Sequence, residues 1–232
     1  MRHHTFKSKQ FIKAIINFQK GMMKIAIISA TGKQGTILTE KALERNHEVT
    51  AFVRNHNKLQ FDVPYVEKDI LDITREDLEG FDAVFVAFGA PKGKEELYIQ
   101  MTNHLIDILA GIDVKLMFVG GTGRLFIDDS KTTRVADNPN IPEAVKESAI
   151  KMAEAYDILA AQDKLKDWTF VSPASMFDFN GPETNDYKLG TDTIIYNSRN
   201  KSYVSYSDFS NAFIDEAEND QYPNQGITVV SG

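Results

Sequence analysis

The chain contains no cysteine in its 232 residues. That excludes disulfides, thiolate nucleophiles and cysteine-ligated zinc, and makes a reducing cytoplasmic setting the expected one. Histidine is sparse and scattered. His3, His4, His47, His56 and His104 share no ligand spacing, so no metal site is expected. No run of about 18 apolar residues occurs, so no membrane-spanning helix is expected. No G-x-S-like stretch has the strand–turn–helix setting of a nucleophile elbow. Basic charge is short as well. The net charge is −7, and residues 1–21 hold five basic residues and no acidic ones. The remainder has 21 basic against 33 acidic residues, which argues against non-specific binding to nucleic acid.

Residues 1–22 read differently from the rest. FIKAIINF sets Phe11, Ile12, Ile15 and Ile16 on one side of a short helix. Lys13 interrupts the run and no small-residue cleavage site follows, so a signal peptide does not fit. The expectation is a leader outside the core fold, with a basic amphipathic membrane or partner helix as the other reading. Residues 23–232 are expected to form a single α/β domain, because 42% hydrophobic residues over this length suffice for one sizeable core.

Strand-like runs alternate with helical patterns. Strands are expected at Lys24–Ser29, Glu48–Val53, Pro64–Lys68, Ala83–Phe88, Lys115–Val119 and Trp168–Val171. Helices are expected at Gly35–Arg45, Arg75–Leu78, Glu95–Ala110 and Glu143–Ala161. This alternation implies βαβ units and a doubly wound parallel sheet, a Rossmann architecture, with a ligand at the carboxyl ends of the central strands. After Pro173 the pattern changes. Thr191–Tyr196 and Ser202–Ser205 alternate about Asn197–Asn200 as a β-hairpin would, and Ser207 or Asp208 is placed to cap a helix over Phe209–Glu218. A last strand is expected at Ile227–Val230. This segment is expected to form a small substrate-side lobe.

The most informative stretch is KIAIISATGKQG, residues 24–35. A strand feeds a glycine-bearing turn and then a helix start. Unpaired N–H groups and the helix dipole at such a start favour an anion. Gly32 lets the backbone approach a pyrophosphate, and Gly35 lets the helix pack close to the strand. A lone G-x-x-G is also what an ordinary strand–turn–helix shows; the βαβ context favours the phosphate site. Arg54 follows the second strand, where NAD-specific enzymes carry an acid. An arginine there suits a 2′-phosphate, with Lys33 and Lys58 adding charge, so NADP(H) is favoured over NAD(H). Otherwise Arg54 is a solvated surface residue.

SATGKQG resembles the GATGxxG fingerprint of atypical short-chain dehydrogenase/reductases. The similarity is to the small NAD(P)H-binding group with NmrA-like and biliverdin-reductase-B/flavin-reductase-like members. VAFGA (Val86–Ala90), FVGGTG (Phe118–Gly123), DWTFVSPASMF (Asp167–Phe177) and YVSYSDFSNAFIDE (Tyr203–Glu216) extend it from about Met23 to the C-terminus. One departure is Ser29, which stands where the family has its first glycine. The resemblance implies a cofactor cradle of Ser29, Thr31, Gly32, Lys33, Gln34 and Gly35, with Asp69 and Ile70 under the adenine. Ala87, Phe88 and Gly89 then border the ribose and pyrophosphate, Pro173 the nicotinamide amide, and Gly120 the cofactor. Asp69 as a cap, Gly89 as a strand terminator and the Gly120–Gly123 run as a plain loop are the alternatives, and Thr122 is a candidate to bond a substrate carbonyl.

Full short-chain dehydrogenases place a tyrosine four residues before a lysine. Here Lys151 has the register, but Glu147 stands where the tyrosine should be, and Tyr156 is followed by Ala160 rather than lysine. No catalytic residue is therefore assigned. A conjugated acceptor does not need that pair, since its proton can come from solvent. The expected function is NAD(P)H-dependent reduction of a planar small molecule such as a flavin or quinone, with Phe88, Phe126, Met176 and Phe177 as a candidate apolar platform. A non-catalytic NmrA-like NADP(H) sensor is the alternative; a sugar epimerase or dehydratase is a further one that would need the missing pair. The expected partner is a small-molecule substrate, with no nucleic acid and no membrane.

Overall fold

A strand covered on both faces is apolar at consecutive positions, and KIAII, AVFV and KLMFV meet that requirement. In the computed structural model, which describes residues 21–232, they form β1 (Lys24–Ile28), β4 (Ala83–Val86) and β5 (Lys115–Val119). With β2 (Glu48–Val53), β3 (Tyr65–Glu67), β6 (Asp167–Ser172), β8 (Tyr187–Gly190) and β10 (Gln225–Ser231) they make one eight-stranded sheet in the order β3-β2-β1-β4-β5-β6-β10-β8. Every pairing is parallel except that of β8 with β10. The doubly wound Rossmann architecture expected from the sequence is present. The expected leader lies outside the described residues, apart from Gly21 and Met22.

Alternation along β1 explains the layers. Ile25 and Ile27 pack with Leu38 of helix α1 (Lys33–Glu44). Ala26 and Ile28 face the other way, toward Leu105 of α3 (Leu97–Ile108) and Leu159 of α4 (Glu143–Ala161). Leu78 of the short α2 (Arg75–Leu78) joins the same cluster as Phe52 of β2. The strand order reverses between β1 and β4, which opens a crevice at their carboxyl ends.

The segment after Pro173 differs from the expected hairpin. A tight loop forms at Asn197–Lys201, where the Asn197 side chain accepts from the N–H groups of Arg199 and Lys201, each at 3.0 Å. Its flanks part, however. Thr193 bridges to Phe126. Tyr203–Ser205, here β9, instead pairs in parallel with β7 (Met176–Asp178). The local turn chemistry was sound, but more distant partners captured both arms. Helix α5 runs Tyr206–Asn219, and its cap is Ser205 rather than Ser207 or Asp208: the Ser205 hydroxyl accepts from the Asp208 N–H at 3.1 Å.

Asp208 has a different task. It is fully buried and accepts hydrogen bonds from the N–H groups of Thr184 and Asn185 and from the hydroxyls of Thr184 and Ser231. It thereby ties the β7–β8 connection and the last strand to α5. Glu183 in the same connection holds Lys41 of α1 at 3.0 Å and Asn211 of α5 at 2.7 Å. Burial opposes the Glu183 charge, but Asn211 and Lys41 outweigh it and hold the carboxyl below its ordinary range.

Asp208→Ala removes four bonds to a buried carboxylate and is expected to cost at least about 3 kcal/mol. Ser205→Ala, which loses one cap, should cost about 1 kcal/mol. Urea midpoints of the two variants against the parent measure both, and equal losses would contradict the assignment of Asp208 as the clamp.

Candidate functional site

The turn from β1 into α1 is built by two backbone facts. Ser29 has φ +64°, in the left-handed region that favours glycine. Its carbonyl accepts from the Gly32 N–H at 3.0 Å and lies against Gly35, where a Cβ would come within 2.3 Å of that oxygen. Gly35 is thus glycine for the protein's own packing, behind the crevice.

Gly32 is different. Its φ of −74° suits any residue, and a Cβ there would lie 3.3 Å from the Ser29 carbonyl and 4.0 Å from that of Ala87. A small side chain fits with slight adjustment, so the protein's packing does not demand glycine. What a side chain at Gly32 would cover is the first turn of α1. That helix has no side-chain cap and no acid in its first turn. The N–H groups that open it have no partner within the helix.

The crevice has a volume of ≈ 460 Å³. Of the residues expected from the sequence, it brings together Ser29, Thr31, Gly32, Lys33, Gln34, Arg54, Asp69, Ile70, Ala87, Phe88, Gly89 and Gly120. Two do not line it: Gly35, and Pro173, which is buried just past β6. Gly120 is fixed by packing, since a Cβ would lie 2.0 Å from the Phe170 ring, whereas a Cβ on Gly89 would meet nothing within 4 Å. Asp69 also caps a 3₁₀ turn, accepting from the Leu71 N–H at 3.3 Å, so the structural role exists beside the position at the crevice.

Charge in the crevice is cationic although the chain is acidic. Lys33, Arg54, Lys58 and Lys68 all border it. Lys68 is matched by Asp77 at 2.5 Å. Gln34 is buried, and its Nε2 donates to the Ser210 hydroxyl at 2.6 Å. That hydroxyl donates onward to the Tyr206 carbonyl at 2.8 Å, which fixes the amide's orientation. The Gln34 Oε1 is then left buried without a hydrogen-bond partner among the described residues.

Part of the crevice wall is apolar. Phe88 and Phe177 line it, while Phe126 and Met176 do not, so the expected platform is half formed. Val119, Met152 and Tyr206 complete it. Tyr206 stacks on Phe177 with ring centroids 3.9 Å apart. Burial raises its phenol above the ordinary range, so it presents a neutral wall. No sequence signal marked Tyr206, because its neighbour Phe177 arrives from another strand.

The would-be proton-transfer residues are engaged elsewhere. Lys151 pairs with Glu154 at 2.8 Å and Glu96 at 3.1 Å, and both carboxylates raise its pKa. Tyr156 packs edge-on to Phe170 at 5.3 Å and lies under the Arg124 guanidinium at 4.6 Å. Arg124, missed by sequence reasoning, is buried and clamps Ser172 and the carbonyls of Thr191 and Ile227. Burial pushes its guanidinium down to about 10. Thr122 opens a 3₁₀ turn and does not border the crevice. Among the described residues no group of acids and histidines is arranged to hold a metal, and no helix is long and apolar enough to cross a membrane.

Ser29→Gly relieves a left-handed residue and should raise stability by about 1 kcal/mol. Gly35→Ala should lower it by roughly 1–3 kcal/mol through overpacking. Thermal unfolding reads both, and a less stable Ser29→Gly protein would contradict the strained turn.

A family model described as NAD(P)H-binding matches residues 29–219. The uncharacterized protein YwnB of Bacillus subtilis is 44% identical over 211 residues, spanning 90% of this chain and 99% of its own. A solved structure from Streptococcus pneumoniae, named as a candidate NADH-flavin reductase, is similar with a TM-score of 0.86 at 38% identity, over 90% of this chain and 100% of that one. A candidate epimerase from Bacteroides thetaiotaomicron gives 0.81 at 31% identity, over 91% and 98%. With its sheet order, its crevice at the β1–β4 reversal and a family match over most of its length, this chain belongs to the NAD(P)H-binding family, among the atypical short-chain dehydrogenase/reductases with flavin-reductase-like members.

Proposed function

We propose that this protein is an NAD(P)H-dependent oxidoreductase that reduces a planar, conjugated small molecule such as a flavin or quinone. The observation that carries this reading is the mixed lining of the crevice. It joins an uncapped helix start with glycine backbone and cations to a wall of Phe88, Met152, Phe177 and Tyr206 without an acid–base pair.

The residues present fit a dinucleotide. The open first-turn N–H groups about Thr31–Gln34 suit its pyrophosphate, and Gly32 leaves them uncovered. The unpartnered Gln34 Oε1 offers a buried acceptor. Arg54, with no carboxylate partner among the described residues and Lys58 nearby, suits a 2′-phosphate, so NADP(H) is favoured over NAD(H). Asp69 and Ile70 would border the adenine, and Ala87, Phe88 and Gly89 the ribose. When bound in reduced form, this cofactor supplies a hydride. The chain's own part is to hold an acceptor ring against the apolar wall and exclude water from that face, while solvent supplies the single proton that completes the two-electron reduction. Lys151 and Tyr156 are engaged outside the crevice, which supports an acceptor that needs no protein acid and weighs against an epimerase or dehydratase.

Gly32→Val is expected to weaken dinucleotide binding by about 1–3 kcal/mol in a folded protein. Calorimetric titration measures it, and unchanged affinity would remove the cradle. NADPH should bind more tightly than NADH, and Arg54→Ala should narrow the gap by roughly 1.5–3 kcal/mol. Equal affinities in the parent would refute the 2′-phosphate assignment.

In steady-state assays with flavins, quinones, simple ketones and alcohols, turnover is expected with the conjugated acceptors alone. Lys151→Ala and Tyr156→Phe should each retain activity within about tenfold, since a working general acid contributes about 10²–10⁴-fold. A thousandfold loss with cofactor binding intact would reveal a proton-transfer role. Tight cofactor binding with no turnover of any acceptor would favour the NmrA-like sensor.

A further inference from the structure

Five ring contacts run in series from the core to the surface. Phe85 meets Phe213 at 4.9 Å, Phe213 meets Phe209 at 6.0 Å, and Phe209 meets Phe177 at 4.9 Å. Phe177 then stacks on Tyr206, and Phe179 stands edge-on to Tyr206 at 5.4 Å. Phe177 of β7 and Phe179 of the turn just after it both contact the Tyr206 ring. The inner members are core. The outer ones are not: Phe177 and Tyr206 line the crevice, and Phe179 is 46% exposed.

A cation completes this rim. The Lys33 Nζ lies 5.0 Å from the centre of the Phe179 ring. Lys33 is the first residue of α1, where the positive end of the helix dipole disfavours an ammonium. It has no carboxylate partner among the described residues, whereas Lys41, Lys68, Lys115 and Lys151 each have one or more. The fold thus holds a cation over an exposed aromatic face at the mouth of the crevice, with no anion of its own to balance it.

The geometry points to this rim as the seat of the acceptor: Phe177, Tyr206 and Phe179 take a planar conjugated ring, and Lys33 takes an anionic substituent on it, a phosphate or a carboxylate. The inference rests on the oxidoreductase reading above and names its class of acceptor. The rings supply stacking area with little loss of side-chain freedom. Lys33 supplies discrimination between charged and uncharged acceptors of one ring type.

Flavin mononucleotide and riboflavin test it, because they share a ring and differ by one phosphate. The readout is the ratio of their kcat/KM values at saturating NADPH. An effect of Lys33 on cofactor binding acts on both acceptors and leaves the ratio unmoved. The parent is expected to favour flavin mononucleotide by about fivefold, the effect of one partly screened charge contact. Lys33→Ala should bring the ratio to about one, and Lys33→Arg should keep it. Phe179→Ala should lower both values and leave the ratio in place. A parent ratio of one, or a ratio that survives Lys33→Ala, overturns the proposal. If neither flavin turns over, the quinone assays above decide the oxidoreductase reading, and equilibrium binding of the two flavins, followed by flavin fluorescence with NADP⁺ saturating, decides the seat alone. The same preference, lost in Lys33→Ala, supports it. Absence of flavin binding overturns it.

Discussion

The crevice depends on one contact, that of Gly35 with the Ser29 carbonyl. Only a residue without a Cβ lets α1 start directly beyond β1. That closeness places the first-turn N–H groups at the carboxyl end of the central strand. A larger residue would push the helix away and carry its dipole with it. Ser29 meets the same demand from the other side by accepting a left-handed backbone without being glycine. The turn therefore stores strain, of order 1–3 kcal/mol for such residues in general, at the point where the ligand's charge would sit.

Electrostatics follows from that placement. Elsewhere on α1 and α4, Lys41 and Lys151 are matched by acids one turn along the helix, Glu44 and Glu154. The other helix start near the crevice, that of α5, is capped by Ser205 and has Asp208 in its first turn. The start of α1 has neither cap nor acid, and has a lysine instead. Uncompensated positive potential is concentrated there in a chain whose net charge is −7. A dianionic pyrophosphate is the kind of ligand such a field attracts.

The chemistry is bounded by what the side chains already hold. A lysine saturated by two carboxylates and a tyrosine covered by a guanidinium are poorly placed to exchange protons with a ligand. Arg124 is central to this arrangement. It joins the loop after β5 to β6, β10 and the segment at Thr191, and a Cβ on Gly226 would lie 2.4 Å from its Cζ. Arg124 is thus a fixed polar clamp among these elements.

The sequence alone determined the parallel sheet, because strands buried on both faces are apolar throughout and that pattern is local. It also marked the glycine-bearing turn at Thr31–Gly35 and the cations beside it, because glycine spacing and charge are written residue by residue, although the helix starts at Lys33 rather than Gly35. That Glu147 stands four residues before Lys151 was equally legible, since it needs only a count along one helix. The tertiary structure decided what depends on distant partners. Thr191–Tyr196 alternates like a strand, yet Thr193 pairs with Phe126 and Val204 with Phe177, since pairings of three residues or fewer are won by whichever neighbour the fold brings near. Arg124 looks like any loop arginine until β6 and β10 close around it. Tyr206 becomes part of the crevice wall only when β7 and β9 align, because stacking joins residues that the chain itself keeps 29 positions apart.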